Sequence, residues 1–220
     1  MFVVIIYKNM GKLANKISQY NRSRKYKYFI GNFSLDNTTT ILDIGFTNND
    51  YSEEANFLEK HYPYLDNITA LGIESDHIFK KLFPQVKVVL YDGSFFPFQD
   101  NSFDIGWSNA VIEHVGNRDN QIRFVKEMLR TCGQIFFTTP NRKFPFDLHT
   151  KLPFIHWLPK KYFDKCLIFF GQKWASGDYM NLLTKKDIVN ICKEAGSKSF
   201  SIKRNRFFGF TMDFVICASE

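Results

Sequence analysis

The chain of 220 residues is predicted to fold as a single open α/β sheet, mostly parallel and seven-stranded, with helices on both faces and a C-terminal antiparallel hairpin. Three observations predict it. Short apolar runs alternate with amphipathic segments across residues 39–140. The connections between them are short, which favours right-handed crossovers and parallel pairing. The last two strands, about 198–204 and 210–217, lie close together with RNRFFG between them, as in a hairpin.

The first strand is TTILDI (39–44), and Ser52 is placed to cap a following helix that runs to about His61. NITALGIE (67–74) is the second strand, with a short helix from about Asp76 to Phe83. VKVVLYD (86–92) and SFDIGWSN (102–109) are the third and fourth. Ile122, Val125, Met128 and Leu129 mark one helical face. CGQIFFTT (132–139) is the fifth strand, closed by Pro140. Residues 141–181 break the pattern with Pro145, Pro153 and Pro159 among aromatics, and read as an inserted lid. Thr184 and Asp187 form a capping box that opens a helix ending near Gly196.

Charge is uneven. Residues 1–35 carry Lys8, Lys12, Lys16, Arg22, Arg24, Lys25 and Lys27 and no acid, while the remainder balances 22 basic against 22 acidic side chains. The expected organisation is therefore a basic N-terminal arm or helix (1–35) and one domain (36–220). Such an arm attracts phosphates, and residues 1–30 are the segment expected to touch an anionic membrane peripherally. The apolar start, Phe2 to Tyr7, is far shorter than the about 20 residues of a membrane span and reads as an edge strand or an interfacial anchor. Cys132, Cys166, Cys192 and Cys217 show no disulfide or metal-type spacing, which fits reduced thiols in a cytoplasmic protein, and no metal ligand set is expected.

In open α/β sheets ligands bind past the carboxyl ends of the strands. The first three strands deliver Asp43 and Gly45, then Glu74, then Asp92. Gly45 lets backbone approach a ligand closely. An acid after the second strand accepts from ribose hydroxyls, and one after the third accepts from an exocyclic amine. The opening loop DIGFTNN has Thr47 and Asn49 where a dinucleotide loop would place further glycines, which counts against a pyrophosphate ligand such as NAD. Asn48 and Asn49 tolerate left-handed backbone better than most residues other than glycine.

The stretch VLYDGSFFPFQDNSFDIGWSNAVIEHV (89–115) resembles the central signature of class I S-adenosylmethionine-dependent methyltransferases of the type 11 group, and the likeness runs from about Thr39 to Pro140. It implies a Rossmann-like methyltransferase fold with S-adenosyl-L-methionine as cofactor. Asp43, Gly45 and the loop through Thr47 would face its methionine part, Glu74 its ribose, Asp92 and Gly93 its adenine, and Asn109 its sulfonium side. The loop departs from the family's D-x-G-x-G-x-G. Forms with DIG-x-T and a YPY segment resemble methyltransferases of surface-glycan biosynthesis, as does the run TPNR…HWLP.

The resemblance leads to methyl transfer to a small-molecule or glycan acceptor, with a hydroxyl expected. His149, His114 and Asp147 are the candidate catalytic groups, and His156, Trp157 and Asn141 the candidate substrate contacts. A non-catalytic binding module docking through the arm is the alternative. A nucleic-acid acceptor is not expected, because the excess charge is confined to the arm and SNAV (108–111) replaces the N-P-P-[YF] run of exocyclic-amine methylation.

Overall fold

A computed structural model describes the backbone of residues 2–48, 55–147, 149–150 and 152–220, and their side chains from residue 17 onward. The seven strands are β1 (Ile41–Ile44), β2 (Ile68–Gly72), β3 (Lys87–Leu90), β4 (Phe103–Asn109), β5 (Cys132–Pro140), β6 (Ser199–Phe207) and β7 (Phe210–Ser219). They lie in the order β3-β2-β1-β4-β5-β7-β6. All pairs from β3 to β5 are parallel, and β7 runs antiparallel to both of its neighbours. The chain moves outward from β1 to β3 and then returns to the other side of β1, so strand order reverses between β1 and β4. A crevice opens at such a reversal.

The helices are α1 (Phe2–Asn32), α2 (Phe57–His61), α3 (His77–Leu82), α4 (Arg118–Thr131), α5 (Lys160–Phe169) and α6 (Lys185–Glu194). On one face of the sheet α4 and α6 bury Val125, Met128, Leu129, Ile188 and Ile191 against Leu42, Ile44, Phe137 and Phe214. On the other, Phe29 and Phe33 pack against Trp107, Phe136 and Val215. Trp107 and Phe136 stack at 4.8 Å, and Phe29 meets Trp107 edge-on at 4.7 Å, favourable ring geometries. The Thr184–Asp187 capping box is present at the start of α6.

Residues 2–7, expected as an edge strand or anchor, are the first turns of α1. The second half of that helix is built into the core. Asn21, Lys25 and Phe29 repeat every four residues and so share one stripe. Phe29 covers the middle of the sheet, while Asn21 and Lys25 reach the end where β4 and β5 finish. Lys25 pairs with Asp213 at 3.2 Å, and Asn21 donates to Asp213 at 2.5 Å. This part of the basic segment is not a solvated leader.

The helix expected from Ser52 is described only as α2, from Phe57; Ser52 lies outside the described residues. The lid region has a small core of its own, formed by Phe163, Leu167, Ala175 and Met180. Among the described residues, no helix is long and apolar enough to cross a membrane.

Candidate active site

The crevice between β1 and β4 holds a cavity of about 180 Å³ lined by Asp43, Gly45, Thr47, Glu59, Asn109 and Val111, among others. Gly45 has φ +99°, and a Cβ there would stand 2.4 Å from Val111 Cγ2. The position therefore requires glycine for both backbone and space.

The loop after Gly45 is held by asparagine side chains. Asn56, at φ +49°, accepts from the Thr47 N–H at 3.0 Å and donates to the Thr47 carbonyl at 2.9 Å. Asn48 Oδ1 accepts from the N–H groups of Ile78 and Phe79, capping α3, and its Nδ2 donates to Ser75. The left-handed residue near this loop is Asn56, and Asn48 acts through its side chain. Asn49 lies outside the described residues.

Asp43 shares the cavity with Glu59 from α2, and both carboxyls are buried. Burial foremost, and then the neighbouring Glu59, push Asp43 well above the usual carboxylate range. Burial also raises Glu59, against weaker opposing pulls from Asp43, its own backbone and Lys60. The two Glu59 oxygens have no hydrogen-bond partner among the described residues. Two acids buried together retain a proton between them or recruit a cation, and Arg22 lines the same cavity.

Glu74 lies exposed two residues past β2. Asp92, exposed past β3, accepts from the Ser94 N–H at 2.9 Å and so closes its own turn. Gly93 follows with φ +84°. Asn109 ends β4, and its Oδ1 accepts from Thr138 Oγ1 at 2.7 Å and from Lys25 Nζ at 3.4 Å.

A second polar cluster begins directly after the cavity wall. Asn109, Ala110 and Val111 line the cavity, and a 3₁₀ turn, Ile112–His114, carries Glu113 and His114. The lid brings Asp147 and His149 to them. His149 Nδ1 is 3.3 Å from Asp147 Oδ1, and His114 Nδ1 is 3.0 Å from the Tyr179 carbonyl. Both partners only accept, so both Nδ1 atoms carry the hydrogen. The two Nε2 atoms then face each other at 3.4 Å. Glu113, fully buried, accepts from Thr139 through Oε2 at 3.0 Å. Its Oε1 has no hydrogen-bond partner among the described residues and stands 3.9 and 4.0 Å from the Nε2 atoms of His149 and His114. Burial disfavours a charged His149, but the Asp147 hydrogen bond and the charges of Glu113, Asp147 and Asp213 outweigh it and raise its pKa. Burial opposes ionisation of Asp147, yet His149 and Thr150 hold it down to about 2.

The structure does not bring Asn141, His156 or Trp157 to this place. Asn141 donates to the Thr211 carbonyl at 2.8 Å and lines a separate groove beside α6. His156 is buried, with Nε2 2.7 Å from the Phe144 carbonyl, and lines a groove between the lid, α4 and α6. Trp157 is half-exposed, edge-on to Phe154. Asn141 and His156 bond backbone carbonyls, and Trp157 packs against Phe154.

Residues 42–137 match the family model described as a methyltransferase domain. The match spans β1 to β5 and encloses the crevice. Over these residues the chain resembles a methyltransferase domain, in a fold shared with S-adenosylmethionine-dependent methyltransferases.

Similar proteins agree with it. The chain is 27% identical over 108 residues to a sarcosine/dimethylglycine N-methyltransferase of Aphanothece halophytica, covering 46% of this chain and 38% of that protein. It is 28% identical over 125 residues to a glycine/sarcosine/dimethylglycine N-methyltransferase of Actinopolyspora halophila, covering 53% and 21%. The chain thus spans well under half the length of these two curated relatives. Among solved structures, a Thermotoga maritima methyltransferase described as a possible histamine N-methyltransferase superposes with a TM-score of 0.59 at 14% identity, covering 98% of this chain and 95% of that one. A Methanosarcina mazei methyltransferase gives 0.53 at 17% identity, covering 84% and 94%. At such identities the likeness is one of fold.

Three residues of the methyltransferase domain's two polar sites escape a reading by motif. Glu59 lies in FLEKH, which reads as a solvated helical face. Glu113 sits beside His114 in EHV, where the histidine draws the attention. Asn56 precedes α2 with no pattern to mark it. An acid within an otherwise buried run, AN-FLE after the glycine loop, is the one available signal for Glu59.

Proposed function

We propose that this protein transfers a methyl group from S-adenosyl-L-methionine to a hydroxyl of a small-molecule or glycan-type acceptor. The observation that carries the reading is the adjacency of two polar sites of different character: a buried acidic cavity, and a pair of imidazoles of which the first, His114, lies three residues along the chain from the cavity wall at Val111.

The cavity suits the cofactor. Asp43 and Glu59 would meet its ammonium. Gly45 and the Thr47 backbone would pass along the methionine, Glu74 would hold the ribose hydroxyls, and Asp92 with Gly93 would meet the adenine. Asn109 would flank the sulfonium. A buried acid pair repels a pyrophosphate, which weighs against a dinucleotide at the same place. The cofactor supplies an already activated methyl group, so the chain's task is to orient the acceptor and exclude water.

A hydroxyl acceptor must lose its proton as the new bond forms. His114 and His149 direct their Nε2 atoms at one point, and Asp147 and the Tyr179 carbonyl fix both rings. The lid, residues 141–181, supplies Asp147 and His149 and would form the acceptor's wall. The resemblance of DIG-x-T and TPNR…HWLP to surface-glycan enzymes supports a sugar hydroxyl. Peripheral contact with an anionic membrane would run through residues 1–30, without Lys25, whose charge Asp213 neutralises.

An amine acceptor is the second reading. The two curated relatives are named as N-methyltransferases of glycine derivatives, and buried Glu113 would suit an ammonium. Purified protein incubated with S-adenosyl-L-methionine and either saccharides or glycine and sarcosine separates the two. Formation of a methyl ether is expected. N-methyl product with no ether would overturn the hydroxyl reading.

A further inference from the structure

We propose that Glu113, His114 and His149 form a binding site for a divalent transition-metal cation of the zinc type. The three ligand atoms, Glu113 Oε1 and the two Nε2 atoms, lie within 4.8 Å of one another. Both imidazoles present lone pairs toward the same point, because their Nδ1 hydrogens are committed elsewhere. Two such nitrogens 3.4 Å apart beside a buried carboxylate oxygen with no hydrogen-bond partner among the described residues call for a positive centre among them, a shared proton or a metal ion.

The supporting contacts are those a metal site needs. Histidine ligands are oriented by donating their second N–H to a carboxylate or a backbone carbonyl, and carboxylate ligands are themselves hydrogen-bonded. Asp147 serves His149, the Tyr179 carbonyl serves His114, and Thr139 Oγ1 serves Glu113 Oε2 at 3.0 Å. All three partners are in place. Ligand atoms around a tetrahedral zinc ion at 2.0–2.1 Å stand about 3.3–3.4 Å apart. The imidazole pair matches that separation, and the extra half-ångström or so toward Glu113 lies within the soft terminal torsion of a glutamate. Imidazole and carboxylate donors suit zinc, iron, nickel and cobalt ions rather than calcium or magnesium.

Three protein ligands leave a fourth position open, the arrangement of catalytic rather than structural sites. Its use in methyl transfer rests on the hydroxyl reading above. An acceptor hydroxyl in the open position ionises near neutral pH, as zinc-bound water does. The acceptor oxygen then forms its bond to the methyl carbon, the carbon–sulfur bond breaks with its electron pair remaining on sulfur, and the hydroxyl proton leaves to solvent.

The test is metal uptake read without acceptor. The full chain, stripped with a chelator, is titrated with Co²⁺ and its visible d–d absorption recorded. A saturable, intense band is expected. It should disappear in His114→Ala/His149→Ala and in the shape-preserving His114→Gln/His149→Gln, while Asp147→Asn weakens Co²⁺ binding about 10–100-fold. Unchanged calorimetric binding of S-adenosyl-L-methionine in the same variants shows that they fold. Absence of a saturable band in the unaltered protein, or a band that survives both double variants, overturns the site. Hydroxyl methylation that proceeds fully in chelator overturns its catalytic use. A Co²⁺ band with no methylation of any hydroxyl would instead refute the acceptor reading and leave the metal site standing.

Discussion

Asn56 grips Thr47 through both atoms of its side-chain amide, accepting from the Thr47 N–H and donating to the Thr47 carbonyl. This contact does for the cofactor loop what glycines do elsewhere: it sets the path of the backbone past Gly45. Asn56 itself takes the left-handed conformation at φ +49°.

Two substitutions separate the roles of Asn56. Asn56→Gly keeps the backbone freedom and loses the amide, whereas Asn56→Ala loses both. Each should weaken S-adenosyl-L-methionine binding by about 1–3 kcal/mol, from the unmet backbone groups of Thr47. Asn56→Ala should in addition lower thermal stability by about 1–2 kcal/mol for its left-handed residue. Equal melting temperatures for the two would mean that the left-handed backbone is not required.

The acid pair makes cofactor binding depend on pH. Asp43 and Glu59 both titrate above the ordinary carboxylate range in the folded chain. Their contribution to stability is therefore complete below the ordinary value near 4 and is lost as pH rises through the folded values. An ammonium beside them reverses the preference, so binding expels a proton. Affinity should rise with pH above the ordinary carboxylate value, by at most about tenfold per unit for one proton. Calorimetry in buffers of different ionisation enthalpy reads the released proton directly, and Glu59→Gln should diminish it. Identical heats in all buffers would remove the ammonium from this place.

Lys25 and Asp213 are 188 residues apart and retain only 5% and 3% side-chain exposure. Lys25→Met leaves Asp213 buried without its counter-charge and should cost about 3–5 kcal/mol of stability. Lys25→Met with Asp213→Asn should recover much of that, since Asn21 still finds an acceptor. Urea midpoints at constant slope measure both. A Lys25→Met protein as stable as the parent would show that α1 is not anchored there.

Glu74 stands exposed past β2, where the ribose is proposed to bind, and its removal leaves no buried group behind. Glu74→Ala should weaken the cofactor by about 1–3 kcal/mol through loss of charge-assisted hydrogen bonds, with thermal stability unchanged. Undiminished affinity would reject the ribose assignment. Asp92→Ala is expected to affect stability as well, because Asp92 also holds the turn at Ser94.

The strands were legible because each is a short apolar run closed by a turn, and the ends of TTILDI, VKVVLYD and CGQIFFTT fall within a few residues of the observed ones. The capping box at Thr184 and Asp187 was legible because it is closed within three residues. Asp43, Gly45 and Asn109 were legible as strand-end residues, and the sheet order does gather them around one cavity. The edge-strand reading of FVVII fails because β-branched apolar residues suit a strand locally, while here they continue a helix whose far end packs Phe29 and Phe33 into the core.

Amino-acid order alone determined the class of sheet and the residues that end its strands, because those depend on local periodicity, while the cofactor was implied by the resemblance of residues 89–115 to a known family. Tertiary structure alone decided that Glu59 joins Asp43, that Lys25 answers Asp213, and that His149 meets His114 and Glu113 while His156 turns to the Phe144 carbonyl. Periodicity reports how a residue sits on its own element. Which carboxylate faces which cation or imidazole is set by strand order and by the path of the lid, and a charge buried far from its partner in sequence leaves no local trace.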